Sequence, residues 1–584
     1  TALILMAVGP ILWFAYEWLA ERAVAPRQVL LAVWRCGLLT FVTSLWWMAG
    51  LWAQGRYGLP VLRYTESYKT VAEAANSVEV LRGLGYWYFY GEDKLGQWIE
   101  PSEAYTTNLV VLTLSFAVPL LALASAAAVR WRHRAYFLVL LVVGALISVG
   151  AHPWDGPSVL GSLFKAFTRT NAGLALRSTP RAVPLVALAA AVLLGAGVHA
   201  LGTRLPHRRT LLAAAVTLLL LANLPTLWNG TMVAGNLKRA EDLPGYWTEA
   251  IAALDARGTD TRILESPGID FASYRWGNTV DPITPGLTDR PYVARELFQY
   301  GTPPSANLLL ALDRGLHDRT ADPDALATVA ALMGVGDVVV RSDLQYERFR
   351  TARPRILWEW MSSAPGFDDP IGFGAPEPNV AGPEQPLVDE IEIGVGAGLE
   401  DPPPVAVFAV RDARPIVRAV TAERPLLLAG DGDGLVAAAA AGLLDVDQAI
   451  FYSATFADDP DGFAAIYDAD ADLLVTDSNR AAGRRWGGLR ENSGYTEQAD
   501  EDRLVYDPTD NRLEVFPGAG SDTQTVTEQV GAVTAVATSY GNPVTFTTDE
   551  RAANAIDGDP LTAWRAGATT CWSGCCLLCG FGVP

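Results

Sequence analysis

Long apolar runs dominate the first 228 residues of the chain. Six of them are long enough, or nearly so, to cross a bilayer core of about 30 Å at about 1.5 Å per helical residue. They occupy residues 1–19, 29–53, 109–129, 136–151, 185–201 and 211–228. Pro119 is expected to kink the third of these helices. The pattern predicts a transmembrane region of about six helices at residues 1–228.

Beyond residue 228 the spacing of hydrophobic positions changes to that of an α/β protein. Four segments alternate between helical and strand-like spacing: helix 246–254, strand 261–265, helix 325–333 and strand 336–341. After a stretch rich in proline and glycine, a second group follows: strand 405–410, strand 425–430, helix 435–444 and strand 471–477. We expect an α/β domain at 229–365 and a mixed α/β domain at 366–525.

The last part of the chain has two distinct features. Strand-like spacing surrounds residues 555–559 (AIDGD) and Thr562, Ala563 and Trp564, a pattern similar to the opening of a discoidin-like β-sandwich at 526–570. Domains of that type often bind carbohydrate. Residues 571–584 form a tail with four cysteines, at positions 571, 575, 576 and 579. These cysteines either bind a metal or pair with one another, or the tail is foreign to the fold.

Composition supports a membrane protein with a large water-exposed part. Half of the residues (50%) are hydrophobic, only 18% are charged, and the mean hydropathy is +0.18. Residues 1–228 carry 18 basic and 10 acidic side chains, whereas the remainder carries 26 basic and 54 acidic ones. The acidic second part has no basic face that would neutralise phosphates, so a nucleic-acid-binding protein is excluded.

Basic side chains between the predicted helices indicate how the chain crosses the membrane. Arginines and histidines cluster in three short connections, at 20–28, 130–135 and 202–210. If these connections are cytoplasmic, alternation puts residues 54–108, 152–184 and everything after 228 on the outer side. We therefore expect a multi-pass protein of the plasma membrane with a large extracytoplasmic C-terminal region.

Five stretches resemble one known family. They are 55–57 (GRY), 64–67 (YTES), 81–83 (LRG), the long run 271–314 and the run 476–497. Together they resemble the actinobacterial arabinofuranosyltransferases of the AftD type, which belong to the glycosyltransferase C superfamily. The resemblance implies a polytopic α-helical membrane protein with extracytoplasmic α/β and β-sandwich domains. It also implies transfer of arabinofuranose from a decaprenyl-phosphoryl-arabinose donor to an arabinan or arabinogalactan acceptor outside the membrane.

Two departures from the family pattern bear on activity. The superfamily carries an acidic residue in its first outer loop, and this chain begins within an apolar run after that point. We therefore expect a fragment, truncated at both ends, that does not transfer sugar by itself. The stretch 176–185 (LRSTPRAVPL) stands where close relatives have an Arg-Asn-x-His-Lys type of sequence. Arg177 and Arg181 keep both cations, but Pro180 occupies the histidine position.

Glu66 is the candidate catalytic residue. Transfer from a lipid phosphate to a sugar hydroxyl needs a carboxylate that accepts the hydroxyl proton or holds the reacting groups. The resemblance places Glu66 in the first complete outer loop, flanked by Arg63 and Lys69. The alternative is an exposed acid that pairs with these neighbours.

Arg177 and Arg181 are the candidate phosphate-binding residues, with Lys165 and Arg169 upstream. They precede the fifth predicted helix at the level of the lipid headgroups, where arginine can bind phosphate oxygens in a bidentate manner. The alternative is interface anchoring of a membrane helix.

The sequence contains weaker candidates for a cation site. His152 and Asp155 supply only two ligands, so a turn at the membrane surface is the preferred interpretation and a divalent cation stays possible. Asp431 and Asp433 follow a strand and are interpreted as a glycine turn. The alternating aspartates at 468, 470 and 472 lack the glycine of a calcium loop and are interpreted as solvated.

Three functions compete at this stage. A lipid-linked pentosyltransferase is preferred, and the alternative is a non-catalytic, membrane-anchored scaffold that binds cell-wall carbohydrate. A transporter is disfavoured because the helices show no inverted repeat and few ionisable groups at mid-membrane depth.

Overall fold

The computed structural model divides the chain into two compact units. The residues that it describes are 2–22, 25–58, 62, 66–93, 96–240, 242–280, 282–296, 301–318, 321–349, 351–387, 390–396, 398–483, 494–495, 512–523, 525–537, 551–558, 562–565 and 579–582. The first unit comprises 1–56 and 60–238, and the second comprises 57–59 and 239–584. The first unit extends ten residues beyond the predicted limit of 228, because the segment that follows still packs on it. In that segment the Ala234 amide donates to the Trp98 carbonyl at 3.1 Å.

The first unit is helical. Its α-helices are α1 Ala2–Met6, α2 Val8–Leu19, α3 Pro26–Tyr57, α4 Tyr68–Ala74, α5 Ser77–Leu81, α6 Ser102–Thr107, α7 Leu109–Ala128, α8 Arg134–Val149, α9 Val159–Phe167, α10 Asn171–Leu176, α11 Val183–Arg204, α12 Arg209–Ala222 and α13 Pro225–Asn229. A short hairpin pairs β1 Glu92–Asp93 with β2 Gly96–Gln97.

Four helices in the described part of the chain are long and apolar enough to cross a membrane. They are Ala2–Leu19, which joins α1 and α2, then α3, α7 and Thr179–Arg204, which contains α11. The helices predicted at 1–19, 29–53, 109–129 and 185–201 are thereby confirmed. The third continues through Pro119.

Of the other two predicted spans, 136–151 corresponds to a helix of the same length, whereas the helix at 211–228 is shorter than predicted. Helix α8 has 16 residues and α12 has 14. Helix α12 ends at Ala222 because Leu224, which precedes Pro225, adopts a non-helical backbone with φ −123° and ψ 60°. At about 1.5 Å per residue, α12 reaches about 21 Å, less than the thickness of a bilayer core. Residues 211–228 are therefore two short helices rather than one span.

Close helix packing forms the core of the first unit. Helix α11 contacts both α7 and α8, and two glycines permit the approach. A Cβ atom on Gly144 would lie 3.1 Å from Leu185, and one on Gly197 would lie 2.0 Å from the Ser125 hydroxyl. Small residues allow helix backbones to approach in this way in membrane proteins. Leu140 is fully buried between these helices.

The loops of the first unit form two groups, and contacts are observed within each group. In the first group, the Tyr16 hydroxyl donates to the Arg132 carbonyl at 2.9 Å, and the Arg132 guanidinium lies 3.2 Å from Glu21. Two of the basic connections therefore touch. In the second group, His152 Nδ1 lies 2.9 Å from the Ala72 carbonyl oxygen. The loops within 54–108 and 152–184 meet there.

The second unit is built mainly from helices around a five-stranded and a three-stranded sheet, and β4 and β5 form a separate hairpin. Its helices are α14 Gly245–Asp255, α15 Thr284–Leu287, α16 Pro303–Asp318, α17 Asp324–Leu332, α18 Tyr346–Phe349, α19 Pro354–Ser363, α20 Glu390–Ile393, α21 Gly432–Ala440 and α22 Pro460–Tyr467. Its strands up to residue 475 are β3 Arg262–Ser266, β4 Ala272–Tyr274, β5 Gly277–Val280, β6 Tyr292–Val293, β7 Val335–Arg341, β8 Ile371–Phe373, β9 Val405–Ala409, β10 Thr421–Ala429, β11 Gln448–Tyr452 and β12 Asp472–Val475.

The larger sheet has the order β6-β3-β7-β9-β8. Strand β3 is parallel to β6 and β7, and β9 is antiparallel to β7 and β8. On β7, Val338 and Val340 enter one core with α17 and α19, whereas Val339 enters another with α14. This alternation is that of a strand covered on both faces, and it gives an α/β layer structure.

The helix and strand predictions for 240–360 and for 405–477 agree with these elements. The larger sheet, however, extends across the predicted boundary at 365, because β9 pairs with β7. Strand β11, which follows α21 along the chain, was not predicted from the sequence. It is an edge strand of a parallel three-stranded sheet of order β11-β10-β12.

Little of the remaining chain is described. Four more short strands pair in twos, Ala481–Gly483 with Gly494–Tyr495 and Thr534–Ala537 with Cys579–Gly582. Much of the predicted discoidin-like segment 526–570 and three of the four tail cysteines lie outside the described residues. The β-sandwich stays a prediction.

Candidate active site

The structure brings Glu66 and Arg177 together. Arg177 Nη2 lies 3.4 Å from Glu66 Oε2, and Arg177 Nε donates to the Glu66 carbonyl oxygen at 2.9 Å. Two candidates that the sequence separates by 111 residues thus form one contact between two loops of the first unit.

Glu66 and Arg177 each lie next to one end of a short helix. Glu66 directly precedes Ser67, whose hydroxyl accepts from the Thr70 amide at 3.1 Å and caps α4. Helix α10 is capped by Thr170, and Arg177 follows its last residue. The Ser67 cap therefore fixes the chain beside Glu66, whereas Arg177 lies at the C-terminal end of α10, opposite the Thr170 cap.

The two side chains differ in exposure. The Arg177 side chain is 5% exposed and that of Glu66 is 17% exposed. Besides its contacts to Glu66, Arg177 donates through Nη1 to the Leu174 carbonyl oxygen at 2.9 Å. All three guanidinium nitrogens of Arg177 thus contact the protein.

The sequence left open that Glu66 pairs with Lys69, but in the structure Lys69 pairs with another acid. Lys69 lies 3.7 Å from Glu73, one turn further along α4. Arg63 lies outside the described residues. The observed partner of Glu66 is the distant Arg177.

Arg181 has a different environment from Arg177. It lies in the 3-10 turn Thr179–Ala182, which is anchored where the Thr179 hydroxyl donates to the Ser148 carbonyl at 3.1 Å. Arg181 is exposed and lines an open cleft of about 350 Å³, together with Gly83, Leu84, Tyr86, Pro180, Val183 and Pro184. Of the two predicted phosphate-binding residues, Arg181 is the accessible one.

A buried network of charged and polar side chains lies next to the loop 83–86, which lines this cleft opposite Arg181. Arg82, whose side chain is 3% exposed, contacts Glu79 at 2.5 Å and donates to the Tyr105 carbonyl at 2.7 Å. It also donates to the Ser115 hydroxyl of α7 at 2.8 Å. The Tyr90 hydroxyl donates to the other Glu79 oxygen at 2.5 Å. Burial, reinforced by Glu79, raises the pKa of Tyr90, so this phenol stays a hydrogen-bond donor.

Sequence reasoning assigned no role to this network. Arg82 was noted only as part of the family-like LRG stretch. The spacing of Glu79 and Arg82, three residues apart on a short helix, is the available signal. It is weak because such pairs are common on exposed helices.

The remaining candidates of the first unit have structural contacts. Lys165 donates to the Trp154 carbonyl at 2.7 Å, and its ammonium lies 4.1 Å from the Trp154 ring centroid. His152 contacts the Ala72 carbonyl, whereas Asp155 and Arg169 are exposed. Within the described residues, no group of three or more potential metal ligands occurs.

The acidic motifs of the second unit are also structural. Asp431 caps α21, its side chain accepting from the Asp433 amide at 3.0 Å, and Asp433 pairs with Arg314. A Cβ atom on Gly434 would lie 2.2 Å from the Thr476 hydroxyl, so side chains fill this glycine turn. Asp472 pairs with Arg424 on the surface.

The family model described as alpha-(1->3)-arabinofuranosyltransferase, N-terminal GT-C domain, matches residues 1–510. The chain belongs to this family. Membership confirms the resemblance seen in the sequence and, together with the four apolar helices, identifies a membrane protein of a glycosyltransferase family.

Two curated relatives bear the name alpha-(1->3)-arabinofuranosyltransferase. The relative from Mycolicibacterium smegmatis is 25% identical over 598 residues, which cover 94% of this chain and 39% of the relative. The relative from Mycobacterium tuberculosis is 26% identical over 583 residues, with 93% and 39% covered. The chain thus spans about two fifths of the length of these family members.

Solved structures of the family share the fold. A cryo-EM structure of the arabinofuranosyltransferase AftD from mycobacteria matches with a TM-score of 0.58 at 19% identity, covering 96% of this chain and 37% of that one. A mutant of that enzyme gives a TM-score of 0.59, with 97% and 39% covered. The membrane fold of the family is therefore present in this chain.

Proposed function

We propose that this chain is the part of a membrane arabinofuranosyltransferase that contributes to the transfer of arabinofuranose from a decaprenyl-phosphate donor to cell-wall arabinan. Family membership supports the class of reaction, and the names of the relatives indicate that the sugar is arabinofuranose. The observation that carries the proposal is the contact between Glu66 and Arg177.

In the proposed reaction, an acceptor hydroxyl oxygen forms a bond to the anomeric carbon of the donor sugar. The bond between that carbon and the phosphate oxygen breaks, and the phosphate leaves with the electron pair. Glu66 takes the proton of the attacking hydroxyl. One carboxylate oxygen, Oε2, contacts Arg177, and Oε1 is not part of that contact.

Arg177 is proposed to position Glu66 rather than to bind phosphate. Its guanidinium is buried and contacts both the carboxylate and the carbonyl oxygen of Glu66 as well as the Leu174 carbonyl oxygen. A side chain held in this way fixes the orientation of its partner. This replaces the direct phosphate contact that the sequence predicted for Arg177.

Arg181 is proposed to contact the phosphate of the donor. It is exposed at an open cleft, and an arginine can hold two oxygens of one phosphate. Tyr86 on the other side of the cleft offers a flat apolar surface to a sugar ring or a prenyl chain.

The outer face of the plasma membrane is the proposed place of reaction. Two of the basic connections contact each other, and the loops that carry Glu66 and Arg177 contact each other separately. These two groups of contacts support an assignment of the connections and the loops to opposite sides of the membrane. By the positive-inside rule, the basic side is cytoplasmic. The site and the acidic second unit then face outward.

A transfer assay tests the proposal. Because this chain is expected not to transfer sugar by itself, membranes carry the full-length enzyme that contains these residues, either as the wild type or as the Glu66→Gln variant. They receive a radiolabelled prenyl-phosphoryl-arabinose donor and an arabinan acceptor. We expect label in the polymer with the wild type and a loss of about 10²- to 10⁴-fold with the variant, since glutamine keeps the size but cannot accept the proton. Glu73→Gln, an exposed carboxylate on α4, is the matched control and should keep full activity. Equal activity of Glu66→Gln and the wild type would contradict the proposal.

A further inference from the structure

The second unit contains a cleft that the proposed reaction does not use. Its volume is about 390 Å³. Two half-buried aromatic side chains, Tyr246 and Trp276, line it together with Ser342, Asp343 and Asn379. Clefts of this size with a few convergent polar groups are typical ligand sites.

Three elements of the chain converge to build this cleft. Tyr246 lies at the start of α14, and Trp276 lies in the turn between β4 and β5. Ser342 and Asp343 directly follow β7, at the carboxyl end of the most buried strand of the larger sheet. The hairpin of β4 and β5 is hydrogen-bonded to the segment that follows β7, where the Arg275 amide donates to the Asp343 carbonyl oxygen at 2.8 Å.

Asp343 is hydrogen-bonded to both aromatic side chains that line the cleft. The residue is 6% exposed. Its Oδ2 accepts three hydrogen bonds, from Trp247 and Trp276 at 2.9 Å and from the Tyr246 hydroxyl at 3.0 Å. Its Oδ1 is buried and has no hydrogen-bond partner in the described part of the protein, and the same holds for the hydroxyl of Ser342. A buried polar atom without a partner costs free energy unless a ligand or water satisfies it.

The aromatic side chains limit what the ligand can be. Trp276 stacks on Tyr274 with ring centroids 4.7 Å apart, so its plane is fixed. A rigid indole beside a phenol gives a flat surface against which the C–H face of a sugar ring packs. Burial raises the pKa of Asp343, which favours hydrogen bonding with neutral hydroxyl groups over pairing with a cation.

Charged ligands suit the cleft less well. Its one arginine, Arg275, is engaged by Glu347 at 2.6 and 2.7 Å and by Asn379 at 2.6 Å. An anion would therefore face Asp343 and the exposed Glu377 without a free cation among the described lining residues. Among the described lining residues, a metal ion would find only these two carboxylates.

We infer that this cleft binds a neutral saccharide, with one sugar ring packed on Trp276 and its hydroxyl groups hydrogen-bonded to Asp343 and Ser342. The site lies wholly within the second unit and is distinct from the site around Glu66. The choice of arabinofuranose as the sugar rests on the proposed function. The inference that the cleft binds a neutral saccharide rests only on the residues that line it.

Calorimetric titration of the purified full chain with an α-linked arabinofuranosyl hexasaccharide tests the inference. Ser342→Ala removes a hydroxyl that has no protein partner among the described residues, so the fold should not change. We expect the Kd to rise about three- to tenfold, the effect of one hydrogen bond. Val380→Trp fills the mouth of the cleft from a side chain that is 66% exposed and should raise the Kd about tenfold or more.

The matched controls lie elsewhere on the second unit. Val417→Trp adds the same indole at a position that is 89% exposed and outside the cleft, and it should bind like the wild type. Weaker binding in Ser342→Ala and Val380→Trp, both in the second unit, separates this site from the catalytic proposal, which concerns residues of the first unit. The inference is overturned if the wild type does not bind the hexasaccharide, or if Ser342→Ala and Val380→Trp bind as tightly as Val417→Trp.

Discussion

The Arg177 guanidinium lies against both the carboxylate and the main-chain carbonyl of Glu66, at 3.4 and 2.9 Å. Because one side chain holds two groups of the same residue, the position of Glu66 depends on Arg177 in both its backbone and its side chain. The loop before α4 and the end of α10 are joined at this point. A change at Arg177 should therefore act on activity through Glu66.

Arg177→Lys is expected to lower kcat for sugar transfer while the KM for the donor changes little. Lysine keeps the charge but cannot contact the carbonyl and the carboxylate together with a planar group. Steady-state kinetics with a prenyl-phosphoryl-arabinose donor measures both constants. Arg169→Ala, an exposed arginine close in sequence, is the control and should leave kcat unchanged. A selective rise in donor KM for Arg177→Lys would favour the phosphate contact instead.

Arg181→Ala is expected to show the opposite kinetic pattern. Loss of an exposed charge at the cleft should raise the donor KM by about tenfold, because a charge-assisted hydrogen bond to phosphate is lost, and should leave kcat largely intact. The effect should shrink at high salt, where exposed charges are screened. An unchanged donor KM across salt concentrations would return Arg181 to the role of an interface anchor.

Arg82→Ala is expected to destabilise the first unit. Removing one partner of a buried ion pair costs about 3–5 kcal/mol because the other charge is left without compensation. Glu79 and Tyr90 would lose their organising cation. Thermal unfolding in detergent should show a Tm several degrees below that of the wild type. The comparison is Lys69→Ala, which disrupts an exposed pair and should leave the Tm unchanged. Equal Tm values for the two variants would show that the network does not stabilise the fold.

The membrane orientation can be mapped with single cysteines after replacement of the five natural ones. Val417→Cys, in the second unit, should react with a membrane-impermeant maleimide in intact cells. His207→Cys, in the basic connection between α11 and α12, should react only after the membrane is permeabilised. Labelling of His207→Cys but not Val417→Cys in intact cells would reverse the proposed topology.

The sequence predicted strands and helices more readily than their pairing. Strand β7 was recognisable because a run of valines follows a glycine turn. The sequence does not show that β9, 64 residues beyond the end of β7, lies beside it, since the alternation of side chains identifies a strand but not its neighbour. Strand β11 was missed because its apolar run, residues 449–452, is only four residues long, and a run of that length does not distinguish a strand from a segment of a buried helix.

The candidate site shows the same division. Glu66, Arg177 and Arg181 were found from their family-like surroundings and their place at predicted helix ends. Their contacts were not predictable, because a contact over 111 residues depends on how the loops fold. Arg82 was overlooked since a charged residue in a loop is more often solvated than buried, and only its position beside α7 shows the burial.

The central claim is that Glu66 and Arg177 act as one unit in sugar transfer, and a double-mutant cycle tests it most directly. Transfer rates are measured for the wild type, Glu66→Gln, Arg177→Lys and the double variant at saturating donor. If Arg177 acts only through Glu66, the double variant should be as slow as Glu66→Gln alone, because nothing remains for Arg177 to position. A double variant whose rate falls by the product of the two single effects would show that the residues act independently and would contradict the account.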